Sequence, residues 1–174
     1  MKHESYENSK VEINDGLLFS EIYEKPYIPM ELLSQIKEAD ILLLPYEGFR
    51  DRADYLFPEE TSKVYQYFLN HIKDTEFKLE ICSSDEDYKE LELHADLINI
   101  VNIIVNSAAY SIVIGLITNY LYDKLKDYNK KDTDVNANVN ITIESKGKSK
   151  VISYEGSIEN FERTMKSLDE HVFK

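Results

Sequence analysis

The apolar positions of this chain are densest between Leu97 and Tyr122, LINIVNIIVNSAAYSIVIGLITNYLY, a run of 26 residues without a formal charge in a chain that is 30% charged. The remainder carries shorter patterns. VEI, Asn14-Asp15-Gly16 and LLFSEIY predict a strand, a tight turn and a second strand, the Asp-Gly pair supplying the positive φ such a turn needs. Pro29 suits the first turn of a helix over MELLSQIKEA, with Leu32, Leu33 and Ile36 on one face. The unbroken run Ile41–Leu44, closed by Pro45, predicts a strand buried on both faces. Pro58, Glu59 and Glu60 open the next predicted helix, whose apolar face is Val64, Tyr67, Phe68 and Ile72. FKLEI alternates as a half-buried strand, and Ser83 with Glu86, or Ser84 with Asp87, predicts a further helix start.

After the apolar run, VNITIE and VISYEG flank SKGKSK as a hairpin turning at Gly147. Ser157 then caps a helix in which Ile158, Phe161, Met165, Leu168 and Val172 recur at helical spacing. The chain therefore divides into an acidic α/β part (1–96), an apolar helical segment (97–128) and a ββα unit (129–174) packed on it. The expected class is α/β: a small three-layer α/β front, a long apolar helical segment, and a C-terminal β-hairpin plus helix.

The apolar run decides most of the picture. As a helix it spans about 39 Å, enough for a hydrocarbon core of about 30 Å. Asn99, Asn102 and Asn106 oppose a lipid setting, because their i, i+3, i+7 spacing would make one amide-lined strip that needs partners. Flanking charge would place the C-terminus inside and the acidic front outside, yet MKHESYENSK carries no apolar stretch to export it. A buried or self-assembling helix in the cytoplasm is the expectation, and inner-membrane association the alternative. Continued without a break from Asp85 to Tyr128, such a helix would reach about 66 Å, against about 40 Å for a compact globule of this size. It must either break near Asn106–Ala109 or assemble with its own copies. In the second case Asn99, Asn102 and Asn106, with Ile103 and Ile112, would form the interface to another copy or to a partner protein.

Charge narrows the function classes. The net charge of −13 disfavours nucleic-acid binding, which requires a basic surface. The excess sits in front: residues 1–123 hold 24 acids against 10 bases. The single cysteine, Cys82, excludes an internal disulfide and fits a reducing compartment.

IVIGLITNYLYDKLK, VNITIE and ISYEGSIENFERTMKSL, an apolar helix followed by a strand pair and a closing helix, resemble the small bacterial effector-associated constant components. The likeness covers about residues 110–170 and does not extend to the front half. It implies an accessory role in a bacterial conflict or signalling system, antiviral defence included.

Residue chemistry offers one candidate ligand loop. Tyr46, Glu47, Arg50, Asp51 and Arg52 follow the ILLLP strand, at the strand end where open α/β sheets bind ligands. Two arginines there could grip an anion, as a ligand-sensing enzyme would require; a charged surface loop with an internal Arg–Asp network is the favoured reading. Glu76-Phe77-Lys78 with Asp51 or Asp54 faintly echoes metal-dependent nucleases, a pattern common by accident. His71 and His94 lack a second ligand at i+4, and no phosphate-cradling glycine loop or nucleophile elbow occurs. No catalytic residue, metal or cofactor is assigned. The residues favour a non-catalytic interaction or regulatory component acting by self-association or through a partner protein.

Overall fold

The computed structural model describes residues 9–51, 53–92, 97–127 and 135–169. The fold is mixed α/β. Strands β1 (Lys10–Asp15), β2 (Ile41–Leu44), β4 (Leu79–Ile81), β6 (Leu97–Asn99), β7 (Asn102–Asn106), β8 (Asn136–Ser145) and β9 (Lys148–Ser157) make one seven-stranded sheet. Its order is β1-β9-β8-β7-β2-β4, with β6 continuing the line of β7 along β8. A two-stranded sheet of β3 (Phe57–Pro58) and β5 (Glu90–Leu91) stands apart. The helices are α1 (Phe19–Ile22), α2 (Leu33–Glu38), α3 (Thr61–Ile72), α4 (Tyr110–Asp127) and α5 (Ile158–Asp169). Strands from all three sequence segments thus share one sheet.

The apolar run does not form the long helix expected of it. Its first part is β6 and β7, the chain turns at Ser107–Ala109, and α4 occupies the remainder. The break falls where the length mismatch required one, but strand precedes it. Isoleucine and valine dominate Leu97–Val105, and branched side chains fit a pleated surface better than a helix. Among the described residues no helix is long and apolar enough to cross a membrane. The absence of charge has two causes. β7 is buried on both faces, and α4 is wedged under the sheet against α3 and α5, with Val113, Ile114, Leu116, Ile117, Tyr120 and Leu121 buried around it.

Asn99, Asn102 and Asn106 do share a side, that of the sheet. Asn99 pairs with Asn138 and Ile103 with Ile141, so four residues of one chain advance against three of the other. This bulge at Ile100–Val101 sends both of those residues into the core and returns Asn102 to the polar face. A strand period of two plus one extra residue therefore reproduces the i, i+3 step of a helix.

Two crossovers build the central layer. β2 and β4 are parallel and joined through α3; β7 and β8 are parallel and joined through α4. β2 and β7 are antiparallel neighbours, so the crossovers step outward in opposite directions along oppositely directed strands. With a common hand, both helices must then cover the same face, as they do. Under them lies the main core, including Ile41, Leu43, Phe68, Ile103, Ile141 and Tyr154. The other face is covered by α1, α2 and the segment between them, through Phe19, Ile22, Ile28, Ile36, Leu42, Cys82 and Ile104.

Two further expectations are corrected. LLFSEIY is not a strand, and β1 pairs with β9 instead. Leu18 N–H donates to the Glu21 carboxylate at 3.0 Å, and Phe19 and Ile22 turn inward together on the short helix α1. No helix starts near Asp85: Asp87 N–H does donate to Ser84 Oγ, but the polar run DEDYKE has no apolar face to bury and becomes extended at β5. The remaining elements are found near their expected places: α2, β2, α3, β4, the β8–β9 hairpin turning at Lys146-Gly147, and α5 with Ser157 Oγ accepting Asn160 N–H. Both hairpin turn residues have positive φ, 52° and 77°, which glycine tolerates and lysine resists. Val172 lies outside the described residues.

Polar side chains tie the elements. Asp40, just before β2, accepts Lys78 N–H at 2.9 Å and Asn106 Nδ2 at 2.7 Å, while Asn106 Oδ1 accepts Ala109 N–H at the turn into α4. Glu90 of β5 accepts the N–H groups of Ser62 and Glu60 and the Tyr88 hydroxyl, closing the start of α3. Glu60 binds Lys124 and Lys63, joining α3 to α4.

Replacing Asn106 with alanine removes a charge-assisted and a neutral hydrogen bond, and should cost about 2–3 kcal/mol in urea unfolding. For Glu60, burial would raise the pKa, but Lys124 and Lys63 outweigh it and hold the group below its ordinary value. Glu90 is likewise lowered against its burial by Tyr88 and by Ser62 and Glu60 N–H groups. Carboxylates depressed in the folded state stabilise it above their unfolded pKa, near 4.5, and lose that contribution as pH falls through the folded value. Glu60→Gln and Glu90→Gln should therefore lower the urea midpoint at neutral pH and flatten its fall on the acid side.

Candidate functional site

β2 and β4 run parallel, and their carboxyl ends open on a crevice of about 330 Å³. Strand ends carry unpaired backbone groups and loops free to vary, which is why such edges collect ligands in α/β sheets. Three segments wall it: Pro26–Pro29 between α1 and α2, Ala53–Phe57 after β2, and Cys82–Lys89 after β4.

The loop after β2 is closed at its base by Tyr46 N–H donating to Leu56 C=O at 2.7 Å. Tyr46 stacks on Phe49 at 5.9 Å, and the Arg50 guanidinium lies 5.2 Å over the Phe49 ring. Arg50 takes a left-handed φ of 50°, unusual for a side-chain-bearing residue. Glu47 pairs with Lys25 at 3.3 Å, pinning the loop to the segment that leads into Pro26. Asp51 ends the turn Phe49–Asp51; its side chain and Arg52 lie outside the described residues. None of Tyr46, Glu47 and Arg50 lines the crevice; they buttress its wall.

The lining comes from residues that the sequence had not singled out for this role. Tyr27 meets Tyr55 edge-on with ring centres 5.3 Å apart. Asp54 and Asp87 contribute carboxylates, and Lys89 stands 4.0 Å from Asp54. Lys89 is held by its C=O, which accepts Phe57 N–H at 2.9 Å in the β3–β5 pair. Burial raises the Tyr27 pKa, with Cys82, Glu47 and Tyr55 adding to it, so the phenol stays neutral. Cys82 forms the floor, is fully buried, and has its thiol pushed up to about 12 by burial and by Glu80. Ser83 donates to Ser84 C=O at 3.0 Å. The arrangement gathers two phenol rings and two carboxylates over an unreactive thiol, suited to holding a cation and not to generating a nucleophile. One signal was legible: Asp54 and Tyr55 lie in the same loop as the arginines. The approach of Pro26–Pro29 was not.

The other candidates scatter. Asn99 is bonded by Asn138 Nδ2 at 3.3 Å and itself donates to Leu97 C=O. Asn102 pairs in register with Leu44, and its shielded Oδ1 accepts no hydrogen bond among the described residues. Asn106 is bound to Asp40. Ile103 is 1% exposed on the opposite face, and Ile112 of α4 packs against the main core. The structure thus puts the three asparagines on one face and separates the two isoleucines from them. Glu76 is exposed, Phe77 and Lys78 lead into β4, and Asp54 lies in the crevice, so the nuclease-like set does not converge on one described site. His71 shares a 2.8 Å hydrogen bond with Tyr67 C=O, and His94 lies outside the described residues. Among the described residues no three His, Cys, Asp or Glu side chains cluster as metal ligands.

Compared with family models, curated proteins and solved structures, the chain has no match.

The crevice floor gives a direct test. At mildly alkaline pH, native Cys82 should resist iodoacetamide and react fully in urea, as read by intact mass. Rapid alkylation of the folded protein would mean that the floor is open and the thiol activated.

Proposed function

We propose that this protein is a non-catalytic interaction component of a bacterial conflict or signalling system, recognising a basic segment of a partner protein in the cytoplasm. The observation that carries the reading is the crevice wall, in which Asp54 and Asp87 stand with the Tyr27–Tyr55 ring pair. A lysine or arginine side chain entering there meets carboxylates at its charged end and aromatic surface along its stem. The Lys89–Asp54 pair at 4.0 Å is exposed and long, and worth little by itself. The excess of acids over the first 123 residues favours the approach of a basic partner. The likeness of residues 110–170 to effector-associated constant components supports the accessory role.

The test is fluorescence anisotropy with a labelled hexa-arginine peptide. Asp54→Asn with Asp87→Asn should weaken binding by about tenfold or more, as expected for loss of charge pairs at a recognition site. Asp74→Asn with Glu76→Gln, exposed acids before β4, should change it little. Equal losses from both pairs would reduce the effect to general acidity and end the crevice reading.

A further inference from the structure

β4 is an outer strand of the sheet, and its free edge is self-complementary. Parallel pairing turns alternate residues inward: Lys78 C=O accepts Ile41 N–H at 3.1 Å, and Cys82 N–H donates to Leu43 C=O at 2.9 Å. Glu80 lies between them in the same phase, so the backbone groups of Phe77, Leu79 and Ile81 point outward. Two of these are satisfied locally. Phe77 N–H donates to Thr75 Oγ1, and Ile81 C=O accepts Ser83 N–H. Left over among the described residues are Phe77 C=O, Leu79 N–H, Leu79 C=O and Ile81 N–H. Leu79 is only 4% exposed, so its outward groups have little access to water.

Phe77 and Leu79 line a groove of about 610 Å³ between α2 and α3, and Ile81 follows at its end. Gln66 and Asn70 of α3, with Lys73 just after it, form one wall, and Gln35 and Glu38 of α2 the other. Phe77 and Ile81, both half-buried, pack at the edge of the main core, on the α3 side. Glu80 is half-buried and no cation of the described chain pairs with it; burial raises its pKa. Among the described residues Lys78 is held by an exposed pair with Glu38 at 3.3 Å.

We propose that the occupant of this groove is a second copy of the chain, paired antiparallel through β4 about a twofold axis at Leu79. Leu79 then exchanges both its hydrogen bonds with the partner's Leu79. Ile81 N–H reaches the partner's Phe77 C=O, and the reverse bond follows by symmetry, so all four groups are used. The same register sets Lys78 directly across from the partner's Glu80, and Glu80 across from the partner's Lys78, two cross-strand ion pairs on the α2 side. On the α3 side Phe77 faces the partner's Ile81. A shift of register by one residue would turn Leu79 N–H and C=O away from each other and break the charge match, so one alignment is favoured. An isologous contact of this kind closes at two copies and leaves β4 with no free edge. It uses neither the crevice nor the asparagine face.

Sedimentation equilibrium of the full chain is the test, with expected mass near twice 20.3 kDa at tens of micromolar. Lys78→Glu alone and Glu80→Lys alone each place like charges opposite one another twice, and each should weaken dimerisation by about tenfold or more. The double variant Lys78→Glu/Glu80→Lys restores opposite charges across the axis and should recover the wild-type constant within about threefold. Circular dichroism confirms that each variant is folded, and Asp54→Asn/Asp87→Asn serves as the control whose mass should not change. A wild-type monomer, a dimer indifferent to both single reversals, or a double variant no better than either single one would each overturn the proposal. Loss of peptide binding at the crevice with the dimer intact would bear on the proposed function alone.

Discussion

The strand Asn102–Asn106 must be buried on both faces, and the rest of the fold depends on that demand. It is the joint between two halves: β8 and its hairpin lie on one side, β2 and β4 on the other. Ile103 and Val105 belong to the core under α3 and α4, while Ile104 meets Leu42 and Cys82 under α1 and α2. Two layers of helix are needed to cover one strand, which is why a chain of 174 residues builds a three-layer centre. Away from that centre the demand lapses. The α1–α2 face of β8 carries Asn138, Asn140 and Thr142, all half-exposed, and helix α5 closes only the other face.

Polar residues set where the apolar run is cut. Asn106 accepts Ala109 N–H through its side chain and donates to Asp40 through Nδ2, so strand ends and helix begins at a residue tied to both. The same carboxylate receives Lys78 N–H at the start of β4. One aspartate thus coordinates the ends of two strands at the pole of the sheet opposite the crevice. The crevice itself is a consequence of parallel β2 and β4: their excursions must leave from the same edge, and the loops Tyr46–Leu56 and Cys82–Lys89 meet there.

How an edge strand is left tells as much as how a central one is covered. β1 presents exposed, charged side chains along its length, a common safeguard against unwanted pairing. β4 has another character: short, flanked by helices, with its surplus N–H and C=O groups capped and the remaining four arranged symmetrically. A strand guarded against pairing has no need of that arrangement.

The sequence by itself determined the elements whose patterns are local. The Ile41–Leu44 run, the alternation of VNITIE, the Lys146-Gly147 turn and the heptad-like spacing of Ile158, Phe161 and Met165 each follow from one neighbour relation, and they lie where the pattern puts them. Tertiary structure decided the rest. Leu97–Val105 lacks polar alternation because partners cover both faces, and a bulge at Ile100–Val101 spaces its asparagines as a helix would. Periodicity cannot separate a doubly buried strand from a buried helix, since the distinguishing information lies in β2 and β8, far away in the chain. The crevice was half legible for the same reason. Asp54 and Tyr55 are local to the loop after β2, but Tyr27 and Asp87 reach it only because α1, α2 and the β3–β5 pair fold back over the sheet's carboxyl edge.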